Sequence, residues 1–328
     1  VWGVDPDDLP GPGLSAVEMI GSIGRPGGVR ALLVCGADVS LAAPDRARAA
    51  DALGSLACLA VMDAFPNRTT EAAHFVLPVH QWAEEDGTTT NLEGRVLRRR
   101  RAAAPPPGAR SDIEVLCDLA GRLGSGGSGF GFARPEAVFD ELRRASAGAR
   151  ADYSGITYAR LDAGEALHWP CPEPGHPGTP RLFTDRFAHP DGRARFVAVA
   201  DRPPAEVPDD EYPLWLTTGR DREHYNTGTQ TRRLGLLTDR RPQALLHVHP
   251  DQAAGLGVTA GTAVVVESRR GRARFAVRVT AEVQPGTVFA PIHWDGQAAV
   301  NHLTGAALDP TSRMPELKTA AVRLVRSG

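Results

Sequence analysis

The sequence predicts an α/β domain built on a parallel sheet, followed by an all-β barrel. Two compact apolar runs, residues 31–36 and 56–61, flank a helical stretch at 45–53. That order is a βαβ unit, whose crossover is right-handed. From Tyr212 the pattern changes to short apolar or alternating runs at 212–216, 243–248, 262–267, 272–280, 287–290 and 320–325. Gly255-Leu256-Gly257, Arg270-Gly271 and Pro285-Gly286 punctuate them, the turn spacing of a small barrel.

The remaining elements follow local signals. Ser15 and Glu18 have capping-box spacing and start a short helix through Ile20. Pro44 stands at the entry of the 45–53 helix. Residues 74–77 predict a third, shorter strand. Ile113, Leu116, Leu119, Ala120 and Leu123 form one helical face over 112–123. Residues 1–124 therefore read as one open parallel α/β domain. Gly124 to Gly129 matches G-x-G-x-x-G but follows a helix rather than a strand, so it reads as a flexible linker. A helix begins at Pro135 and runs to Ala145. Residues 150–210, rich in Pro and Gly, predict a wrapping segment. The expected divisions are 1–124, 125–210 and 211–328.

The totals narrow the function. A net charge of −2 over 328 residues gives no reason to expect nucleic acid or a membrane surface. No apolar run approaches the roughly 18 residues of a membrane span, and no signal peptide opens the chain. The chain starts Val1-Trp2-Gly3 and reads as cut from something longer. Cys35, Cys58, Cys117 and Cys171 show no CxxC spacing. The first three sit in apolar runs and predict buried free thiols, hence a reducing, cytoplasmic setting. The arginine run at 98–101 and the cluster Arg269, Arg270, Arg272 and Arg274 fit solvated faces or hairpin edges.

The densest polar stretch is 217–233, which holds Thr217, Thr218, Gly219, Arg220, Arg222, His224, Arg232 and Arg233. Hydroxyls, a close-approach glycine and guanidinium forks suit a polyanion, and a solvated loop is the plainer alternative. Asp63 ends the second strand of the βαβ unit. Ligands bind there in open α/β sheets, and a turn aspartate is equally consistent. Glu84-Glu85-Asp86 could bind metal, act as acid and base, or form an exposed acidic turn, and Gly87-Thr88-Thr89-Thr90-Asn91 offers small donors for a ligand edge. His247 and His249 alternate along a strand, where polar residues at a strand end suffice as explanation. His293, after a strand and before Asp295-Gly296, is the better functional histidine. There is no P-loop and no G-x-S-x-G elbow.

Taken in order, these residues resemble a family. Glu85-Asp86-Gly87-Thr88 with Asn91 and Glu93-Gly94-Arg95, Asp152 to Ile156, and Trp169-Pro170-Cys171-Pro172 with His176 to Pro180 carry the resemblance in the middle of the chain. Thr218-Gly219-Arg220, His224 and Thr227, Asn301-His302-Leu303-Thr304, Leu308-Asp309-Pro310, and Pro315-Glu316-Leu317-Lys318 carry it at the end. The sequence resembles the C-terminal part of molybdenum bis-molybdopterin guanine dinucleotide oxidoreductases, most of all bacterial assimilatory nitrate reductases, then formate dehydrogenases.

The resemblance implies a Rossmann-like guanosine-binding domain and a double-psi-type barrel that binds pterin and diphosphate. It places Thr218, Gly219, Arg220, Asp221, Arg222, Glu223, His224, Tyr225, Asn226 and Thr227 on the pterin and diphosphate, with His293, Asn301 and Lys318 lining the same cofactor. It places Met62, Asp63 and Asp112 at guanosine. Asp38 stands near a nucleotide position usually filled by Asn, and Glu85 stands where relatives can carry lysine. The implied reaction is two-electron reduction of nitrate to nitrite in nitrate assimilation, fed by an electron-donor protein or reductase subunit. The family's 4Fe–4S cysteine motif and its metal-ligand region match nothing here. The expectation is an upstream region that holds both, and a chain inactive by itself, with no catalytic or metal-ligating residue of its own. Formate oxidation, a stand-alone cofactor-binding subunit without activity, and an inert reuse of the barrel are the other readings.

Overall fold

The computed structural model describes residue 7, residues 11–124 and residues 129–326. The opening Val1-Trp2-Gly3 and residues 125–128 of the glycine-rich linker lie outside the described residues. The chain forms two compact units, one made of residues 13–77 with 201–328, the other of residues 78–200.

In the first segment, α1 (Ala16–Ser22) begins as its capping box dictates, with the Ser15 N–H donating to Glu18 Oε2 at 2.9 Å. β1 (Ala31–Cys35) pairs in parallel with β2 (Cys58–Asp63), from Ala31 opposite Cys58 to Cys35 opposite Met62. Between them lie α2 (Val39–Ala42) and α3 (Arg46–Gly54), and after them α4 (Arg68–Glu71) and β3 (Phe75–Pro78). The sheet order is β1-β2-β3. Val34, Leu53, Leu56, Leu59 and Val61 form the core of this segment, so the apolar runs bury as their patterning requires.

The unit of residues 78–200 opens with a hairpin that periodicity did not reveal. β4 (Gly87–Thr90) and β5 (Val96–Arg99) pair antiparallel, and Asn91 Oδ1 closes the turn by accepting the N–H groups of Glu93 and Arg95. α5 (Asp112–Arg122) is capped by Ser111 and Glu114, and α6 (Pro135–Ala145) starts at its proline as expected. α7 (Tyr158–Asp162) joins Val96, Phe139, Ile156, Leu167 and Cys171 in one core. Boundaries drawn at 124 and 210 follow changes of pattern. The compact units follow this core, which packs Val96 with residues 139–171.

The second segment of the first unit is a closed barrel. Its strands are β6 (Leu214–Gly219), β7 (Leu245–Val248), β8 (Ala263–Glu267), β9 (Arg272–Val279), β10 (Thr287–Pro291) and β11 (Thr319–Arg326). Two short helices interrupt them, α8 (Gly235–Arg240) and α9 (Pro250–Leu256). Around the barrel the order is β10-β6-β11-β8-β9-β7, with β6–β10 and β7–β9 parallel and the other pairs antiparallel. Leu216, Leu246, Val266, Val288 and Val322 fill the interior. Each comes from the inward face of an alternating strand.

Of the three cysteines expected to be buried, Cys58 and Cys117 are half-buried and Cys35 is exposed at the end of β1, whereas Cys171 is buried. The apolar run predicted the opposite for Cys35, because a strand end turns alternate side chains outward. No helix among the described residues is long and apolar enough to cross a membrane.

Candidate functional site

β6 runs through Thr217, Thr218 and Gly219, so the polar stretch begins as strand and leaves the sheet only at Arg220. Gly219 is required there by close packing: a Cβ would stand 2.6 Å from the Phe289 ring. Where β6 ends, a groove of about 700 Å³ opens within the first unit. Gly36, Ala37, Asp38, Leu41 and Ala42 line one wall; Thr218, Arg220, Asn226, Thr227, Ile292, Asn301, Leu317 and Lys318 line the rest. Gly36 turns the chain out of β1 at φ +60°, a conformation that favours glycine.

The residues expected at the site divide into those that face this groove and those that shape it. His293 is fully buried. Its Nε2 accepts the Asp221 N–H at 2.8 Å, so its Nδ1 carries the proton and donates to the Asn226 carbonyl at 2.6 Å. Burial pushes its pKa down, which keeps the ring neutral. His293 thus ties the two ends of the turn 221–226 rather than lining the groove. His224 has a similar role. Its Nε2 donates to the Arg241 carbonyl and its Nδ1 accepts from the Thr231 hydroxyl, each at 3.2 Å. Asp221 and Glu223 lie 3.5 and 3.8 Å from the Arg241 guanidinium. Arg222, Tyr225 and Asn226 are exposed on the loop, and Asn226 sits at φ +46°.

Asn301 both lines the groove and joins its walls. Its Nδ2 donates to the carbonyls of Leu41 (2.9 Å) and Ala42 (3.1 Å), which the end of α2 leaves free. Thr218 Oγ1 donates to the Leu317 carbonyl at 2.7 Å, and Lys318 Nζ donates to the Thr218 carbonyl at 3.0 Å. Lys318 is the only lysine among 37 lysines and arginines. An ammonium donates in three directions where a guanidinium donates in one plane. With one donor on Thr218, two remain for a ligand.

The expected guanosine residues are placed less simply. Met62 is fully buried, so its side chain belongs to the core. Asp63 closes its own turn: Oδ1 accepts the Phe65 N–H at 3.1 Å and Oδ2 accepts from Asn67 Nδ2 at 2.8 Å. Asp38, on the groove wall, accepts from the Thr69 hydroxyl at 2.9 Å, and burial pushes its pKa up. Glu85 and Asp112 belong to the unit of residues 78–200. There Glu85 pairs with Arg99 at 2.8 Å, and Asp112 opens α5.

Other expected features resolve into structure. His247 packs on the Phe289 ring, and His249 accepts the Asp251 N–H as the cap of α9. Among the described residues no group of three or more His, Cys, Asp or Glu side chains could hold a metal ion. Asp295, given no role by the sequence, joins Arg46 at 2.6 Å and Arg68 at 2.5 Å. Local pattern could not show this, because those partners lie 249 and 227 positions away.

Two family models match the chain: molybdopterin oxidoreductase over residues 6–122, and the molydopterin dinucleotide-binding domain over residues 214–321. The second covers nearly the whole barrel and the loop that shapes the groove. The chain belongs to the molybdopterin oxidoreductases. It is 41% identical over 327 residues to the assimilatory nitrate reductase catalytic subunit of Bacillus subtilis, covering 99% of this chain and 46% of that protein. It is 39% identical over 317 residues to the F420-dependent formate dehydrogenase subunit alpha of Methanocaldococcus jannaschii, covering 97% and 46%. The chain thus spans about half the length of the curated relatives it matches. Among solved structures, acetylene hydratase from Pelobacter acetylenicus superposes with a TM-score of 0.65 at 16% identity, over 95% of this chain and 46% of that one. That likeness shows the fold alone and nothing of its substrate.

The groove suits such a cofactor. It is lined by two cations, Arg220 and Lys318, together with the Thr227 hydroxyl, a glycine-shaped turn and the Asp38 carboxyl, whose ionisation burial opposes. Diphosphate oxygens ask for that donor set.

Proposed function

We propose that this chain holds molybdenum bis-molybdopterin guanine dinucleotide in an oxidoreductase that reduces nitrate to nitrite. The observation that carries the binding is the groove beside β6, which Arg220 and Lys318 line without an ion-paired carboxylate among the described residues. In this reading the barrel takes the pterin and diphosphate. Residues 36–42 and the turn at Asp63 take a guanosine end, and Asp63 retains acceptor capacity beyond its two local bonds. Asn301 fixes the groove's width by holding α2, and His293 fixes the loop. Arg220 and Lys318 counter the diphosphate charge. When bound, the cofactor supplies the two-electron chemistry at its metal; the protein's part is to bind, orient and exclude water. The 41% identity to an assimilatory nitrate reductase catalytic subunit supports nitrate as substrate. Electrons would come from a donor protein or reductase subunit in the cytoplasm, with iron–sulfur and metal-ligand groups supplied from outside these residues.

The test uses the protein that carries these residues. Arg220→Ala and Lys318→Met should each lower molybdenum and guanine content by roughly ten-fold or more, since a charge-assisted hydrogen bond contributes about 1.5–3 kcal/mol. Full content in both variants would remove the assignment. A formate reading rests on the 39% identity to a formate dehydrogenase alpha subunit. Assays of nitrate reduction and formate oxidation on one preparation separate the two.

A further inference from the structure

The arginine cluster after β8 has a use that a solvated hairpin edge does not explain. Arg269 and Arg270 stand in the turn between β8 and β9, which the Ser268 N–H closes on the Gly271 carbonyl at 2.9 Å. Both guanidiniums reach back to the strap of residues 201–209, which forms neither helix nor strand. Glu206 takes both: its Oε2 accepts from Arg270 Nη2 at 2.5 Å, and its Oε1 accepts from Arg269. Asp209 also accepts from Arg269, whose guanidinium lies 4.7 Å from the Tyr212 ring. Side-chain pairs, rather than a backbone ladder, hold the strap.

Arg270 carries the tie inward. Its side chain is 19% exposed and that of Glu206 18%, and its Nε donates to the Leu303 carbonyl at 2.9 Å. Leu303 is fully buried in the barrel core. The next residue, Thr304, is also fully buried and makes two contacts. Its hydroxyl donates to Asn301 Oδ1 at 3.0 Å, and its carbonyl accepts the Asp45 N–H at 3.0 Å. An amide whose oxygen is taken presents its nitrogen, and Asn301 Nδ2 is the atom that holds the Leu41 and Ala42 carbonyls on the groove wall. Asp45 sits at φ +48°, a backbone state uncommon for a residue with a side chain.

The strap also holds the far end of this segment. The Ala205 N–H donates to Glu316 Oε2 at 2.9 Å, just before Leu317 and Lys318 enter the groove. Residues 205 and 206 thus secure both ends of the stretch 303–316, although neither lines the groove. A charge-assisted pair about four-fifths out of water fixes its partners more firmly than an exposed one.

We infer that Glu206 is a positioning residue for the groove. Through Arg270 it fixes the Leu303 carbonyl, and with it the Thr304–Asn301 pair that ties α2 to the barrel. Its effect on the cofactor rests on the dinucleotide reading above; its effect on the wall does not.

The test uses the protein that carries these residues and two readouts, hydrogen exchange at the Asp45 amide and the rate of guanine loss on dilution. Glu206→Ala should speed both by about ten-fold or more, since it removes a charge-assisted hydrogen bond. Glu206→Gln keeps an acceptor without the charge and should speed both by about three-fold; it carries the test if Glu206→Ala does not fold. Glu211→Ala removes an exposed acid close by in the chain and should change neither. In an Asn301→Ala background, Glu206→Ala should add no more than about two-fold to guanine loss, because one route serves both residues. General loosening of the fold would add in full. Wild-type exchange at Asp45 in the Glu206 variants overturns the inference. So does faster exchange with guanine loss unchanged, or full additivity with Asn301→Ala. A wild-type protein that holds no guanine removes the dinucleotide reading, and Asp45 exchange that still depends on Glu206 then leaves the wall tie standing.

Discussion

Across residues 84–101 acids and arginines answer one another. Arg99 meets Glu85 at 2.8 Å, Arg98 lies 3.6 Å from Asp86 and 3.1 Å from Asp162, and Arg100 meets Asp162 at 2.8 Å. In the loop after β6 the acids Asp221 and Glu223 lie beside Arg241, while no carboxylate among the described residues lies within ion-pair distance of Arg220 or Arg222. Both regions are charge runs in the sequence. The hairpin region neutralises itself, which is what a structural element does with charge. The loop leaves its cations open, which is what an anion site requires. Pairing, not the density of charge, separates binding surface from scaffold.

The loop is open because it is rigid, and the strongest way to break the comparison is to remove that rigidity. His293→Ala deletes the donor to Asn226 and the acceptor from Asp221, and leaves two buried backbone groups unpaired. Each such loss costs about 1–3 kcal/mol, and the vacated space adds to it. Urea unfolding should show about 2–5 kcal/mol of lost stability, together with lost cofactor retention although His293 lines no part of the groove. A loss below about 0.5 kcal/mol, the range of an ordinary surface change, would show that the turn at 221–226 holds itself.

Asp295 gives a gentler test, read through pH. Burial opposes its ionisation, but the Arg68 hydrogen bond, the Gly296 N–H and the Arg46 charge together hold its carboxyl below the usual range. The unfolded chain binds that proton more readily, so stability rises with pH across the interval. The contribution is complete above the ordinary carboxylate pKa of about 4 and fades as pH falls through the lower folded value. The wild-type melting temperature should drop faster than that of Asp295→Asn as pH falls below about 4. Parallel curves would mean that Arg46 and Arg68 hold their positions without Asp295.

Much of this architecture can be read from local sequence. The alternation of β8 and β9, the capping box of Ser15 and Glu18 and the proline start of α6 are signals within one turn or strand. The structure places these elements within a residue or two of expectation. The β4–β5 hairpin was hidden because its strands are Gly-Thr-Thr-Thr and Val-Leu-Arg-Arg, one without apolar alternation and one read as a charge run. The candidate site was legible as a stretch but not as a division of labour. Thr218, Arg220 and Lys318 on the groove and His224 and His293 behind it share the same polar character. Only tertiary hydrogen bonds tell them apart. Asp295 shows the limit most plainly, since its partners are more than 220 positions away.

The smallest effect belongs to the hairpin region and bears most directly on the contrast. Glu85 and Arg99 form a partly exposed pair, with side chains 21% and 26% accessible. Such pairs contribute about 0–1 kcal/mol, so Glu85→Gln, Arg99→Gln and their combination should show a coupling energy in that range by double-mutant cycle. If Glu85 only pairs, guanine and molybdenum content should stay at the wild-type level in all three. If Glu85 touches the cofactor, Glu85→Gln should lower that content at unchanged stability, and Arg99→Gln should not. That second pattern would erase the distinction between a hairpin that answers its own charge and a loop that keeps its charge for a ligand.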